Sequence, residues 1–170
     1  NHINWRYKKT LSFLSKHCSP PKRILDLGTP NPLSDYISSH GYRVFNTQGE
    51  NLDVVYDSVL NKNIELVTAF EIFEHMLAPF NILRQIKANK LIASVPLSLW
   101  FAKAYWNKND DWDKHYHEFE QQQFDFLLEK TGWKIVDSEK WIPEEKLKFG
   151  LRPLIRRVTP RYYIVYCERK

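Results

Sequence analysis

The sequence predicts an α/β fold built on a doubly wound, mostly parallel sheet. Three observations point there. Short apolar runs alternate with stretches of helical periodicity along most of the chain. The run R-I-L at 23–25 leads into D-L-G-T-P-N-P-L-S at 26–34, a strand turning at a glycine into a helix. Two final strand-like runs, 134–141 and 161–168, have no strong helix between them, which predicts an antiparallel pair at one sheet edge.

The elements follow in order. Residues 3–17 set Tyr7, Leu11 and Leu14 on one helical face, and Pro20 and Pro21 stop that helix. Residues 23–27 form a short apolar strand. Residues 33–40 read as a helix with Leu33, Tyr36, Ile37 and His40 facing in and Gly41 ending it. Residues 43–45 are a second strand, and 52–56 offer a third. Only about six residues separate these two, whereas a parallel crossover needs about a dozen, so one of the pair is expected to be irregular. Residues 65–70 are a buried strand. Pro79 opens a helix whose apolar stripe is Phe80, Leu83 and Ile86. Residues 91–95 are the next strand, closed by Pro96. Residues 97–118 are aromatic and polar without clean periodicity, a long loop with room for one short helix. Residues 120–130 form a helix with Phe124, Leu127 and Leu128 inward, and Gly132 lies just past its end.

Length and composition fit one domain over residues 1–170, with the helix of 1–21 packed on it and an edge region at 142–170. The net charge of +5 gathers late, in Lys146, Lys148, Arg152, Arg156, Arg157, Arg161, Arg169 and Lys170. Such a cluster is a solvated face or a weak contact for an anionic surface; it does not predict a specific nucleic-acid partner. Cys18 and Cys167 lie far apart and match no metal spacing, and neither a signal peptide nor an apolar run of membrane length is found. A reduced, cytoplasmic setting is the expectation.

Chemistry-bearing residues gather at strand exits. In an open α/β sheet, ligands sit beyond the carboxyl ends of the strands where strand order reverses. That places 28–34 and 70–75 side by side. Asp26 and Gly28 make either a cofactor contact or a structural corner. After the strand at 65–70 come Glu71, Glu74 and His75. Their E-x-x-E-H spacing differs from the zinc motifs H-E-x-x-H and H-x-x-E-H, so no metal is expected. Glu74 suits a cap or brace for the following helix. His75 suits a base on an acceptor hydroxyl. His115 and His117, downstream of Asp110, Asp111 and Asp113, suit contact with an acceptor, structural hydrogen bonds or, with those carboxylates, a divalent metal. The G-x-G-x-x-G fingerprint of NAD-binding oxidoreductases is absent.

Four stretches together resemble the class I S-adenosylmethionine-dependent methyltransferases: R-I-L-D-L-G at 23–28, E-L-V-T-A-F-E-I-F-E-H-M-L-A-P-F at 65–80, K-L-I-A-S-V-P at 90–96, and H-Y-H-E-F with the later L-L-E-K-T-G-W-K-I-V at 127–136. They cover roughly residues 22–141. The resemblance implies the Rossmann-like methyltransferase fold, slightly reduced, with R-Y-Y-I-V-Y as its antiparallel last strand at the edge. It implies S-adenosyl-L-methionine as cofactor and a small-molecule, glycan or lipid-linked acceptor. The turn after Asp26, with Gly28 and Thr29, would approach the methionine part. Asn46, Gln48 or the later Asp53 would stand where an acid usually holds the ribose hydroxyls. Asp57 would face the adenine, Phe70 and Glu71 would floor the pocket, and His75 and His117 would serve the acceptor.

Two departures matter. Pro30 and Pro32 replace glycines of the family turn, removing two N–H donors and fixing φ. The glycine bend before the strand at 91–95 is reduced to A-N-K. These departures open a second possibility, a non-catalytic binding module that kept the fold and lost the cofactor.

Overall fold

The computed structural model describes residues 2–143, 155 and 157–170, with the side chains of residues 2–4 outside that description. Its centre is a six-stranded sheet in the order β2-β1-β3-β4-β6-β5. The strands are β1 (Arg23–Asp26), β2 (Arg43–Asn46), β3 (Leu66–Phe70), β4 (Lys90–Pro96), β5 (Trp133–Trp141) and β6 (Tyr162–Arg169). The first four run parallel, and β6 runs antiparallel to both β4 and β5. The antiparallel strand therefore lies one place in from the edge, between two strands that share a direction. Burial explains the placing. The β6 sequence Y-Y-I-V-Y-C is buried almost throughout, while β5 alternates between buried and exposed positions, as an edge strand does.

Alternate strand residues feed two cores, one on each face. On one face, Ile24, Leu66, Ile92, Ile164 and Tyr166 meet Phe13 and Leu14 of helix α1 (His2–His17) and Leu33 and Ile37 of helix α2 (Pro32–Ser39). On the other, Leu25, Val67, Ala69, Leu91, Ala93 and Val165 meet Ile82 and Leu83 of helix α3 (Pro79–Gln85) and Phe124 and Leu128 of helix α4 (Gln121–Lys130). This is the doubly wound arrangement. No described helix is long and apolar enough to cross a membrane.

Several expectations shift in detail. Residues 52–56 form turns rather than a strand, and only a 3-10 turn, Asp57–Leu60, follows before β3. The short connection leaves no room for a crossover helix, so β2 is the outermost strand on that side. Phe80 is exposed; Ile82, Leu83 and Ile86 form the buried stripe, and Arg84 lies over the Phe80 ring at 5.8 Å. Phe80 lies beside that stripe, roughly 110° round the helix from its centre, at the edge of the buried face. His40 is also exposed, because it is the C-cap of α2, where its Nδ1–H donates to Tyr36 O at 2.8 Å. No helix forms within 97–118.

The basic cluster divides. Lys146, Lys148, Arg152 and Arg156 lie outside the described residues. Arg169 is spent inside the fold: it covers the Trp133 ring at 3.9 Å, donates to Thr131 O at 3.0 Å and also bonds Ile86 O. Lys170 pairs with Glu129 at 3.7 Å.

Trp133 anchors β5 to α3. It is 1% exposed, and its indole N–H donates to Leu83 O at 3.1 Å. Trp133→Ala should cost about 3–5 kcal/mol in urea unfolding, combining a large cavity with an abandoned carbonyl. Val136→Thr, at an exposed position of the same strand, should stay within about 0.5 kcal/mol. A loss under about 1 kcal/mol for Trp133→Ala would contradict this packing.

Candidate active site

Strand order reverses between the neighbours β1 and β3. Their carboxyl ends open the crevice where such folds bind ligands. Asp26, the last residue of β1, is 3% exposed. Its carboxylate accepts from Thr68 Oγ1 at 2.6 Å on β3 and from Asn46 Nδ2 at 3.2 Å on β2, with Asn31 Nδ2 more distant at 3.5 Å. Burial pushes its pKa up to about 6, against the pull of the Thr68, Asn31 and Asn46 donors.

The turn after β1 is closed on itself. Gly28 has φ +114°, a conformation that needs glycine, and a Cβ there would meet Ile72 Cδ1 at 3.3 Å. Its N–H donates to Thr47 Oγ1 at 2.8 Å, and its carbonyl accepts from Asn46 Nδ2 at 3.2 Å. Asn31 is the N-cap of α2. Its Oδ1 accepts from Leu33 N at 3.0 Å and Ser34 N at 3.1 Å, while its own N–H donates to Ser34 Oγ at 3.0 Å. Pro32 then falls at the first helical position, where no intrahelical N–H bond is asked of it. N-P-L-S is thus a helix start. Asn31 donates to Ser34 through its backbone N–H and, through Nδ2, to Thr29 O at 3.1 Å. Thr29 itself is exposed at the lip of the turn.

The other cofactor candidates are placed as follows. Asn46 turns its amide onto Asp26 and Gly28 rather than into the crevice. Gln48 is exposed, and its Nε2 donates to Asn46 O at 3.1 Å. Asp53 is committed elsewhere: its carboxylate accepts from Ala78 N at 2.7 Å and Leu77 N at 3.0 Å, bracing the start of α3. That is the role the sequence suggested for Glu74. Asp57 is exposed at the head of its 3-10 turn and joins none of these bonds. Phe70 packs with the α1–α2 core. Glu71, at the β3 exit, has φ +57°, and its carboxylate takes both contacts from Arg6 Nη1 at 2.8 Å. A non-glycine residue held there stores roughly 1–3 kcal/mol of strain, a feature that clusters at functional sites.

Beyond β3 lies a second polar group. Glu74 is 1% exposed, and neither carboxylate oxygen has a hydrogen-bond partner. Burial, above all, lifts its pKa well above the usual carboxylate range; its own backbone N–H eases the charge only from outside bonding geometry, and Glu71 and Glu118 add to the rise. His75 is half-buried, and its Nδ1–H donates to Lys114 O at 3.0 Å. Burial first, and then the His115 ring, lower its pKa, so the ring is neutral at pH 7. His115 crosses it edge-on at 4.9 Å between centroids and donates from Nδ1 to Glu118 Oε1 at 2.9 Å.

The loop at 97–120 makes these contacts possible. It leaves β4 through a bridge between Leu97 and Phe119 and doubles back through a second between Trp106 and Lys114. Tyr116 N and His117 N then donate to Glu74 O at 2.8 and 3.2 Å, stitching the loop to 74–77. His117 lies in the same region, with its ring stacked on Phe119 at 5.4 Å and its Nε2–H donating to Leu77 O at 3.3 Å. His115, not His117, is the ring that meets His75.

Sequence reasoning missed Arg6, Thr47, Thr68 and Glu50. A threonine inside the apolar run L-V-T-A-F was a visible signal for Thr68. Glu50 sits in the loop after β2, half-buried, and its Oε2 accepts from Gln48 N at 2.6 Å. The neighbouring Gly49 rests on Thr29, which a Cβ would meet at 3.4 Å.

Solved structures of the same architecture are numerous. A methyltransferase from Mesorhizobium loti, described as S-adenosylmethionine-dependent, superimposes with a TM-score of 0.60 at 12% identity, covering 93% of this chain and 96% of that one. One from Archaeoglobus fulgidus gives 0.56 at 15% identity, covering 96% and 94%. Phosphoethanolamine N-methyltransferase 2 of Haemonchus contortus, with S-adenosyl-L-methionine bound, gives 0.64 at 10% identity, covering 95% of this chain and 52% of that one. The chain has the fold of the S-adenosylmethionine-dependent methyltransferases. No protein-family model matches the sequence, and no curated protein matches it significantly.

Asp26 makes stability depend on pH with a definite sign. Its pKa is about 6 in the folded state against an ordinary 3.8, so between those values the native state holds a proton that the unfolded chain has lost. The group's contribution is greatest below about pH 4 and falls as pH rises through about 6. The unfolding free energy of the wild type relative to Asp26→Asn should therefore drop by on the order of 3 kcal/mol from about pH 4 to pH 7. Urea titrations of both proteins measure it, and a difference independent of pH would contradict the burial assigned to this carboxylate.

Proposed function

We propose that the chain is an S-adenosylmethionine-dependent methyltransferase acting on a small molecule or lipid-linked glycan acceptor. The observation that carries this is the pairing, at the reversal of strand order, of a left-handed glycine after β1 with a strained left-handed glutamate after β3. Backbone shapes of this kind persist where a ligand must lie close to the chain. The cofactor, when bound, supplies a methyl group already activated on a sulfonium, so the protein's task is to align donor and acceptor at about 3 Å and exclude water.

The chain's own residues divide that task. Gly28 and Thr29 line the methionine end. Glu50, ordered over the turn by the Gln48 N–H, supplies the acid for ribose hydroxyls that Asn46 lacks. Asp57 faces the adenine side, and Phe70 and Glu71 form the floor. His75, neutral and held by Lys114 O, takes a proton from an acceptor hydroxyl, and the aromatic loop covers the acceptor. His117 braces that loop at Leu77 O.

A second reading, a binding module without cofactor, is favoured by the self-satisfied turn. The Gly28 N–H is taken by Thr47, and Glu71 is taken by Arg6. Calorimetric titration with S-adenosylmethionine separates the two. Binding is expected, and Glu50→Gln should weaken it about tenfold or more without moving the unfolding midpoint, the loss of one charged hydrogen-bond acceptor. No heat at millimolar cofactor from folded protein would establish the second reading.

The prolines give an independent check. Replacing Pro30 and Pro32 by glycine restores two N–H donors, each worth roughly 1.5–3 kcal/mol to a charged group. The lost stiffness costs only about 0.4–1 kcal/mol per site. The double variant should bind S-adenosylmethionine more tightly. Unchanged or weaker binding, with the fold intact, would assign the prolines to the start of α2 alone.

A further inference from the structure

Native interiors rarely leave a buried polar group without a partner. Glu74 is such a group, with both oxygens unbonded and 1% of its surface exposed. Its Oε1 lies 3.9 Å from His75 Nε2. One oxygen of Glu74 and one ring nitrogen from each of His75 and His115 all lie within 4.8 Å of one another. Both imidazoles are held from behind. The Nδ1–H of His75 goes to the Lys114 carbonyl and that of His115 to the Glu118 carboxylate, which leaves the lone pair of each ring on Nε2. A carbonyl or carboxylate behind a ligating imidazole is the usual outer support of a metal site.

We propose that Glu74, His75 and His115 bind a first-row divalent transition cation, with Zn²⁺ as the reference ion. Two imidazoles and a carboxylate suit such an ion better than Mg²⁺ or Ca²⁺, which take oxygen ligands. Glu74, without a partner in the protein, gains one in the cation. Glu71 and Glu118 act on Glu74, with Arg6, the partner of Glu71, opposing them, and Asp113 and Glu71 act on His75. Ligands at about 2.1 Å stand about 3.4 Å apart around a tetrahedral ion, so the group closes by a side-chain movement on binding. Tyr116 N and His117 N on the Glu74 carbonyl keep the two segments in reach while it does.

Three protein ligands leave a coordination position open. That position takes water or an oxygen of the acceptor; a bound cation engages the His75 Nε2 lone pair, so the base role of His75 belongs to the metal-free site only. The acceptor part rests on the methyltransferase reading; cation binding does not.

Full-length, tag-free protein, stripped with chelator, is titrated calorimetrically with Zn²⁺ and, by visible absorption, with Co²⁺. One equivalent should bind, Co²⁺ should give a d–d band, and the unfolding temperature should rise reversibly on metal addition. Glu74→Gln and His115→Gln should each weaken binding about 100-fold or more, and Glu118→Gln, which removes only the outer support, by about 10–100-fold. Asp110→Asn, on the exposed acidic stretch, should change nothing. Circular dichroism confirms the fold of each variant, and Glu118→Gln remains decisive if a ligand variant does not fold. No stoichiometric binding to wild type, or full binding in the folded variants, overturns the site. Cofactor titration is a separate measurement, so failure of methyl-donor binding and failure of cation binding are told apart.

Discussion

The carboxyl edge of the sheet is organised around one buried carboxylate. Asp26 stands at the end of β1, between β2 and β3, and draws donors from β3 through Thr68 and from β2 through Asn46. A carboxylate in that position must be hydrogen-bonded or protonated, because burial of an unpaired charge is prohibitive. Its partners are therefore constrained in type: a hydroxyl and an amide, each a donor. Asn46 answers that demand with its side-chain amide. A second carboxylate beside Asp26 would face it across a few ångströms.

That constraint passes outward into the turn. Once Asn46 bonds both Asp26 and the Gly28 carbonyl, and Thr47 takes the Gly28 N–H, the corner holds its shape without a ligand. The capping box of Asn31 and Ser34 extends the same closure into α2. Pro30 and Pro32 are tolerated because the backbone donors they lack are replaced by side chains or not needed at a helix start. The outcome is a rigid lip with its polar groups largely satisfied.

The second organised region depends on a different constraint, the need to seat an aromatic loop that lacks regular structure. Backbone bonds from 116 and 117 to the Glu74 carbonyl do this, and they bring His115 against His75. Glu74 is carried inward by the same 3-10 turn, Phe73–His75, whose Phe73 is a core residue. Hydrophobic anchoring of Phe73 thus decides the depth of its polar neighbour.

Period and composition determined most of the architecture. Alternating apolar runs and helical stripes located every strand of the sheet and the four helices within a residue or two, because burial on two faces imposes its pattern directly on the chain. The strand exits, and so Asp26, Gly28, Glu71 and His75, were legible for the same reason. Local detail failed where a cap or a helix face outweighed average periodicity, as at His40 and Phe80. What only the tertiary structure decided was which polar atoms meet. Asn46 on Asp26, Arg6 on Glu71, and His115 on His75 join residues 20, 65 and 40 positions apart. No periodicity links such pairs; they meet because parallel strands and a folded-back loop converge at one edge, where desolvation makes each unpaired group costly.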